Sequence, residues 1–181
     1  MTKEAYQAAA RYWEEKAAVS VKLEPDKLQA MAEEYIRANN TCALATGTGD
    51  YVRCTPIEYG WHDGSFWMFS EGGKKFIGLA ENPHVCLAIY DRYEGFGKLH
   101  GMQVMGLAEL IEPFSEAYKA HAAWKKIPLD ALRKLPSPMH LIRVQPTRID
   151  CLFSDFKELG CAPRYWFAKL QFIKARHNPH F

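Results

Sequence analysis

Over the first forty positions apolar residues recur at helical spacing; from Thr41 onward they fall into short runs broken by turn residues. Leu28, Met31, Ala32, Tyr35 and Ile36 share one helical face behind Pro25, which suits a first helical position, and Asn39-Asn40 can close that helix. Tyr6–Ala18 has few large apolar residues and many alanines, which predicts a surface or dimer-packing helix. Together these predict N-terminal helices over about residues 3–39.

The middle of the chain reads as strands. Thr41–Thr46 and Tyr51–Tyr59 flank Gly47–Asp50, a hairpin turn, and Pro56 inside the second run implies an edge strand or a bulge. His62–Gly64 turns the chain again into the aromatic run Ser65–Ser70. Lys74–Glu81 predicts a short helix stopped by Asn82-Pro83, and Val85–Tyr90 a buried strand. Leu99–Glu112 has the length of a long strand, Phe114–Lys126 and Leu129–Leu135 read as helix, and Met139–Phe153 as a strand broken at Pro146. The tail from Asp155 to Phe181 reads as irregular, aromatic and basic. Strand runs at short spacing, without regular strand–helix alternation, favour a mainly β fold, an antiparallel barrel with flanking helices, as a single domain over residues 1–181.

With 181 residues, 48% of them hydrophobic and 24% charged, the composition is that of an ordinary globular protein. A formal net charge of +2 argues against nucleic acid or an anionic membrane as the main partner. No apolar run reaches a transmembrane length, and Met1-Thr2-Lys3-Glu4 lacks the apolar segment of a signal peptide, so a cytoplasmic protein is expected. Five cysteines with no Cys-x-x-Cys argue against a disulfide framework or a zinc knuckle; Cys42 and Cys86, in apolar runs, are expected in the core.

One stretch carries candidate chemistry. F-S-E-G-G-K-K-F, Phe69 to Phe76, sets two glycines before two lysines at the start of the predicted helix. Glycines let backbone approach a ligand, a helix N-terminus attracts anions, Ser70 adds a hydroxyl, and Lys74 and Lys75 add charge suited to a phosphate. The string also fits a polar turn with two solvated lysines, and it matches neither the P-loop nor the dinucleotide fingerprint. Arg53, in the preceding strand, can point at the same anion or cap a barrel end. His177 and His180 flank Pro179, which disfavours a metal-binding helical face, and no nucleophile–base motif stands out.

The ordered set T-C-A-L-A-T, V-R-C-T-P-I-E-Y, D-G-S-F-W-M-F-S, K-K-F-I-G-L-A-E-N-P-H-V-C-L-A-I and G-M-Q-V-M-G-L-A-E-L resembles the pyridoxamine 5′-phosphate oxidase-like family over roughly residues 41–111, and P-T-R-I fits its late barrel strand. The resemblance implies an FMN-binding split β-barrel, a homodimer with FMN at the subunit interface, and oxidoreductase activity on a small molecule. It assigns Phe69, Ser70, Lys74 and Lys75 to the FMN phosphate and ribityl chain, Arg53 to the phosphate, and the backbone of Cys54, Thr55 and Pro56 to the flavin ring. It has Gln103 reach the cofactor from the partner subunit. The segment Asp155–Phe167 departs from the family's tail and can fold over the flavin, where Trp166 either stacks near the cofactor or serves packing. The Arg-Leu-x-Pro tail and Arg-x-His motif of the vitamin B6 oxidases are absent, which argues against that substrate. Relatives with this barrel that bind or degrade haem through C-terminal histidines, or that use a deazaflavin, leave a carrier or haem-degrading role as the alternative, with His177 and His180 as its residues.

Overall fold

In the computed structural model, residues 1–168 are described. Two helices, α1 (Lys3–Ala18) and α2 (Pro25–Ala38), precede the sheet. Its strands are β1 (Thr41–Thr48), β2 (Tyr51–Glu58), β3 (Gly60–His62), β4 (Ser65–Ser70), β5 (His84–Tyr90), β6 (His100–Ile111), β7 (His140–Phe153) and β8 (Arg164–Ala168). Helix α3 (Lys75–Glu81) joins β4 to β5, while α4 (Glu116–Trp124) and α5 (Leu129–Arg133) join β6 to β7.

All pairings are antiparallel, in the order β2-β1-β5-β6-β7-β4-β3, and β8 also pairs with β7. The expected antiparallel split barrel with flanking helices is therefore the observed fold. β2 is an edge strand, which is why Pro56 is accommodated without breaking an inner ladder. β7 runs unbroken through Pro146, so the expected break is a bulge instead: Pro146 still pairs with Gly106, the register with β6 shifts between Met105 and Gly106, and Thr147 is left out of the ladder. The two halves of β7 then pair with different strands, His140–Val144 with β4 and Arg148–Leu152 with β8. That change of partner is the split in the barrel. The tail departs from expectation, because a 3₁₀ turn (Ser154–Lys157) and strand β8 give it regular structure. Alternation at Tyr165 and Phe167, both buried, carries that strand.

Strand alternation divides the sheet into an inner and an outer face. Leu44, Leu87, Ile89, Val104 and Ile149 point inward, with Leu28, Ala32 and Ile36 of α2 closing one side of the core. Burying one such aliphatic side chain contributes about 1.5–3 kcal/mol. The outer face carries Ala43, Ala45, Cys86 and Ala88, all half-buried. Cys42 is in the core as expected, whereas Cys86 falls on the outer face by the same alternation. A second apolar cluster, Trp67, Tyr118, Ala122, Leu132 and Leu141, packs α4 and α5 against β4. No buried residue lies on α1, in keeping with its alanine-rich sequence.

Candidate functional site

The loop after β4 is built around Ser70. Its buried hydroxyl donates to the Gly72 carbonyl and accepts from the Gly72 amide, both at 3.1 Å. Gly72 and Gly73 take φ of 138° and 104°, where a side chain would be strained, so the pair of glycines is what lets the loop fold back here. The amides of Phe76 and Ile77 are bonded to the carbonyls of Gly73 and Lys74, so the first turn of α3 consumes part of the expected amide cradle.

Two contacts lock this loop to the edge of the sheet. Tyr51, the first residue of β2, donates its hydroxyl to the Lys74 carbonyl at 3.1 Å. Gly78 of α3 sits so close to β1 that a Cβ there would meet the Gly47 nitrogen at 2.9 Å and the Thr46 Cβ at 3.1 Å. The Asn82 side-chain amide donates to the Gly47 carbonyl at 3.0 Å, fixing the other end of α3.

Arg53 lies two residues beyond Tyr51 on the same strand face and pairs with Thr46. It comes near enough to Lys75 for the two charges to repel. The Lys75 ammonium is held below its ordinary pKa, first by burial and then by Arg53. Lys75 is only 6% exposed, and its Nζ donates to the Gly72 carbonyl. Among the described residues neither cation pairs with a carboxylate. On that same face of the β1–β2 hairpin the hydroxyls of Thr46 and Thr55 are buried without a hydrogen-bond partner. An unsatisfied buried hydroxyl costs about 1–3 kcal/mol, so the edge offers two uncompensated cations and two spare hydroxyls together. That donor set fits a phosphate.

The other expected residues are placed as follows. Lys74, exposed, caps α3; Phe69, half-buried, leads into the loop with its ring 5.3 Å from Tyr118 and 5.1 Å from His121. Cys54 and Pro56 are exposed and Thr55 half-buried along β2. Gln103 and Trp166 lie elsewhere. Strand pairing sets Pro56, Ala43, Ala88, Gln103, Asp150 and Trp166 in one row across the outer face. From β2 to β6 that row spans three strand spacings, about 14 Å, so one chain keeps Gln103 apart from the β2 residues Arg53 to Pro56. Gln103 is exposed, and Arg148 stacks over the exposed Trp166 ring at 4.8 Å. His177 and His180 lie outside the described residues.

A family model, pyridoxamine 5′-phosphate oxidase, matches residues 28–152, more than half of the chain. The chain belongs to this family of flavin-binding split barrels. No match was found among curated proteins. Similar solved structures include a FAD-binding protein from Mesorhizobium loti (19% identity, TM-score 0.56, covering 72% of this chain and 93% of that one). The haem storage protein HutZ from Vibrio cholerae (18%, 0.54, 70% and 91%) and ChuZ from Campylobacter jejuni (15%, 0.62, 88% and 68%) share the fold as well.

Sequence reasoning missed Tyr51, Thr46 and a histidine pair. Nothing local marks Tyr51 or Thr46; only the β1–β2 register and the close approach of α3 reveal them. His121 is fully buried, its Nδ1 2.9 Å from His62 Nε2, and His62 Nδ1 lies 3.0 Å from Asp63. Burial, then His62 and Lys125, lower the His121 pKa to about 4, so it is neutral at pH 7. Among the described residues no cluster of three or more His, Cys, Asp or Glu could hold a metal ion, and no helix is long and apolar enough to cross a membrane.

Proposed function

We propose that two copies of the chain bind FMN between them, and that the loaded protein is a cytoplasmic oxidoreductase acting on a small molecule. The observation that carries this reading is the uncompensated pair of Arg53 and Lys75 beside the Ser70–Gly73 loop. A terminal monophosphate is a dianion, and two cations with spare hydroxyls match it in charge and in donors. Lys74 adds charge at the mouth of the site, and Phe69 and the backbone of Cys54, Thr55 and Pro56 offer a surface for the rest of the cofactor. Gln103 and Trp166 serve the neighbouring copy, because one chain keeps them on β6 and β8, three and five strands away from β2. The flavin supplies the electron chemistry when bound; the protein supplies grip, orientation and shelter from water.

The test is an absorption spectrum of the protein as purified, followed by anaerobic reduction with nicotinamide donors. A flavin spectrum with releasable FMN is expected, bleached by a productive donor. A colourless protein that also fails to take up added FMN would sink the reading. A Soret band in its place would establish the haem alternative, and bound FMN that no donor or substrate reduces would establish a carrier.

A further inference from the structure

A cavity of about 380 Å³ lies between α1 and the outer face of β5–β8, well away from the Arg53–Lys75 grip. Trp13 of α1 forms one wall, Trp166 and Gln103 another, and Gly101 leaves the floor without a side chain. Two arginines enter it, and they differ. Arg148 is compensated twice, by Asp150 at 2.7 Å and Glu14 at 3.7 Å. Arg164 has no carboxylate partner among the described residues. Its guanidinium stacks over the Trp13 ring at 4.5 Å, and its Nε is buried without a hydrogen-bond partner.

We propose that this cavity binds a small planar aromatic monocarboxylate. Stacking on Trp13 fixes the plane of the Arg164 fork and leaves its N–H groups for an in-plane carboxylate, the partner whose geometry matches them. The tryptophan walls and the bare floor at Gly101 suit a flat ring, and the volume falls in the range of small-molecule sites. Charge sets the ligand's valence. Of the cavity's two arginines, Arg164 alone lacks a carboxylate among the described residues, and Glu14 and Asp150 oppose a second negative charge, so a monoanion fits and a phosphate dianion does not. The proposal deepens the flavin reading, because Gln103 and Trp166 border the same cavity and would set the bound ring near the cofactor. It stands, however, on residues outside the phosphate grip.

The experiment is isothermal titration of the full-length, FMN-supplemented protein with 2-naphthoate and with its neutral analogue 2-naphthylmethanol. One naphthoate per chain is expected, at least tenfold tighter than the alcohol. Arg164→Gln should remove that preference. Gly101→Val should abolish binding of both probes by filling the floor. The fold should tolerate that change, since a Cβ at Gly101 meets only the Ile89 carbonyl and the Tyr90 Cβ, both at 3.7 Å. FMN stoichiometry should be unchanged in both variants. Equal affinity for the two probes, unchanged binding in both variants, or no binding at millimolar naphthoate would overturn the proposal. So would loss of FMN in Arg164→Gln, which would give the cavity to the cofactor. A protein that takes no FMN yet shows the expected naphthoate pattern would refute the flavin reading and leave this one standing.

Discussion

Lys75 is buried beside Arg53, neither pairs with a carboxylate among the described residues, and burial, then repulsion from Arg53, holds the Lys75 ammonium below its ordinary pKa. A fold does not gain stability from such a pair; burying an uncompensated charge next to another opposes folding. The arrangement makes physical sense when an anion completes it.

The first prediction concerns that anion. Replacing Lys74 and Lys75 together by alanine should weaken FMN by about 100-fold or more, the effect of losing charge-assisted contacts worth roughly 3 kcal/mol. Riboflavin, which lacks the phosphate, should bind variant and wild type within a few-fold of each other. Titration by flavin fluorescence quenching reads both ligands, and equal losses for the two would remove the phosphate role. FMN at 100 times its Kd should stabilise the wild type by about 2.7 kcal/mol, a gain the double variant should lose at the same concentration.

The second prediction rests on the row Pro56–Ala43–Ala88–Gln103 on the outer face. Small side chains there present a flat surface, and Gln103 lies three strand spacings, about 14 Å, from β2 in one chain. Ala43→Arg should therefore give a folded monomer that no longer holds FMN. Analytical ultracentrifugation with absorbance at the flavin band measures both at once. A wild-type monomer that still binds FMN tightly would refute Gln103 as a contact from the partner subunit.

Much of this was legible in the sequence, and the exceptions have physical reasons. Helix α2, a hairpin within Gly47–Asp50, the edge position of β2 and an irregularity at Pro146 follow from periodicity, turn residues and proline's missing donor. The loop from Ser70 to Lys75 was legible as a string, but the place of Arg53 beside Lys75 was ambiguous, because a strand arginine comes near α3 only through register and packing. Thr46, Tyr51 and the His62–His121 contact depend on residues distant in sequence, and no local pattern encodes them. The tail read as irregular since β8 is short and pairs only with the second half of β7.

The third prediction tests how α3 is seated. A methyl added at Gly78 would press on the Gly47 backbone nitrogen at 2.9 Å and on Thr46, and backbone cannot move aside as a flexible side chain does. Gly78→Ala should destabilise the protein by about 1–3 kcal/mol despite alanine's better helix propensity. Because α3 carries Lys75, it should also weaken FMN. Chemical denaturation and FMN titration of the same variant check the two effects, and a stabilised variant with normal FMN affinity would contradict the seating of α3 described here.

The last prediction concerns acid. His121 has no solvent exposure and stacks with Trp67 and Trp124. The titratable groups around it are His62, with Asp63 behind, Tyr118 on its own helix, and Lys125, which pairs with Glu58. Its folded pKa, about 4, lies below the ordinary 6.5, so on acidification the unfolded chain takes the proton first. Neutral His121 therefore contributes stability that is fully present above pH 6.5 and is lost as pH falls toward 4. The loss is on the order of 3 kcal/mol for a shift of this size on a buried ring. Urea denaturation followed by tryptophan fluorescence between pH 7.5 and 4 should show this decline in the wild type. In His121→Gln, which cannot titrate, the slope should be flatter while the stability at pH 7 falls, because Gln leaves the His62 contact imperfect. An unchanged slope in that variant would assign the acid sensitivity to other groups.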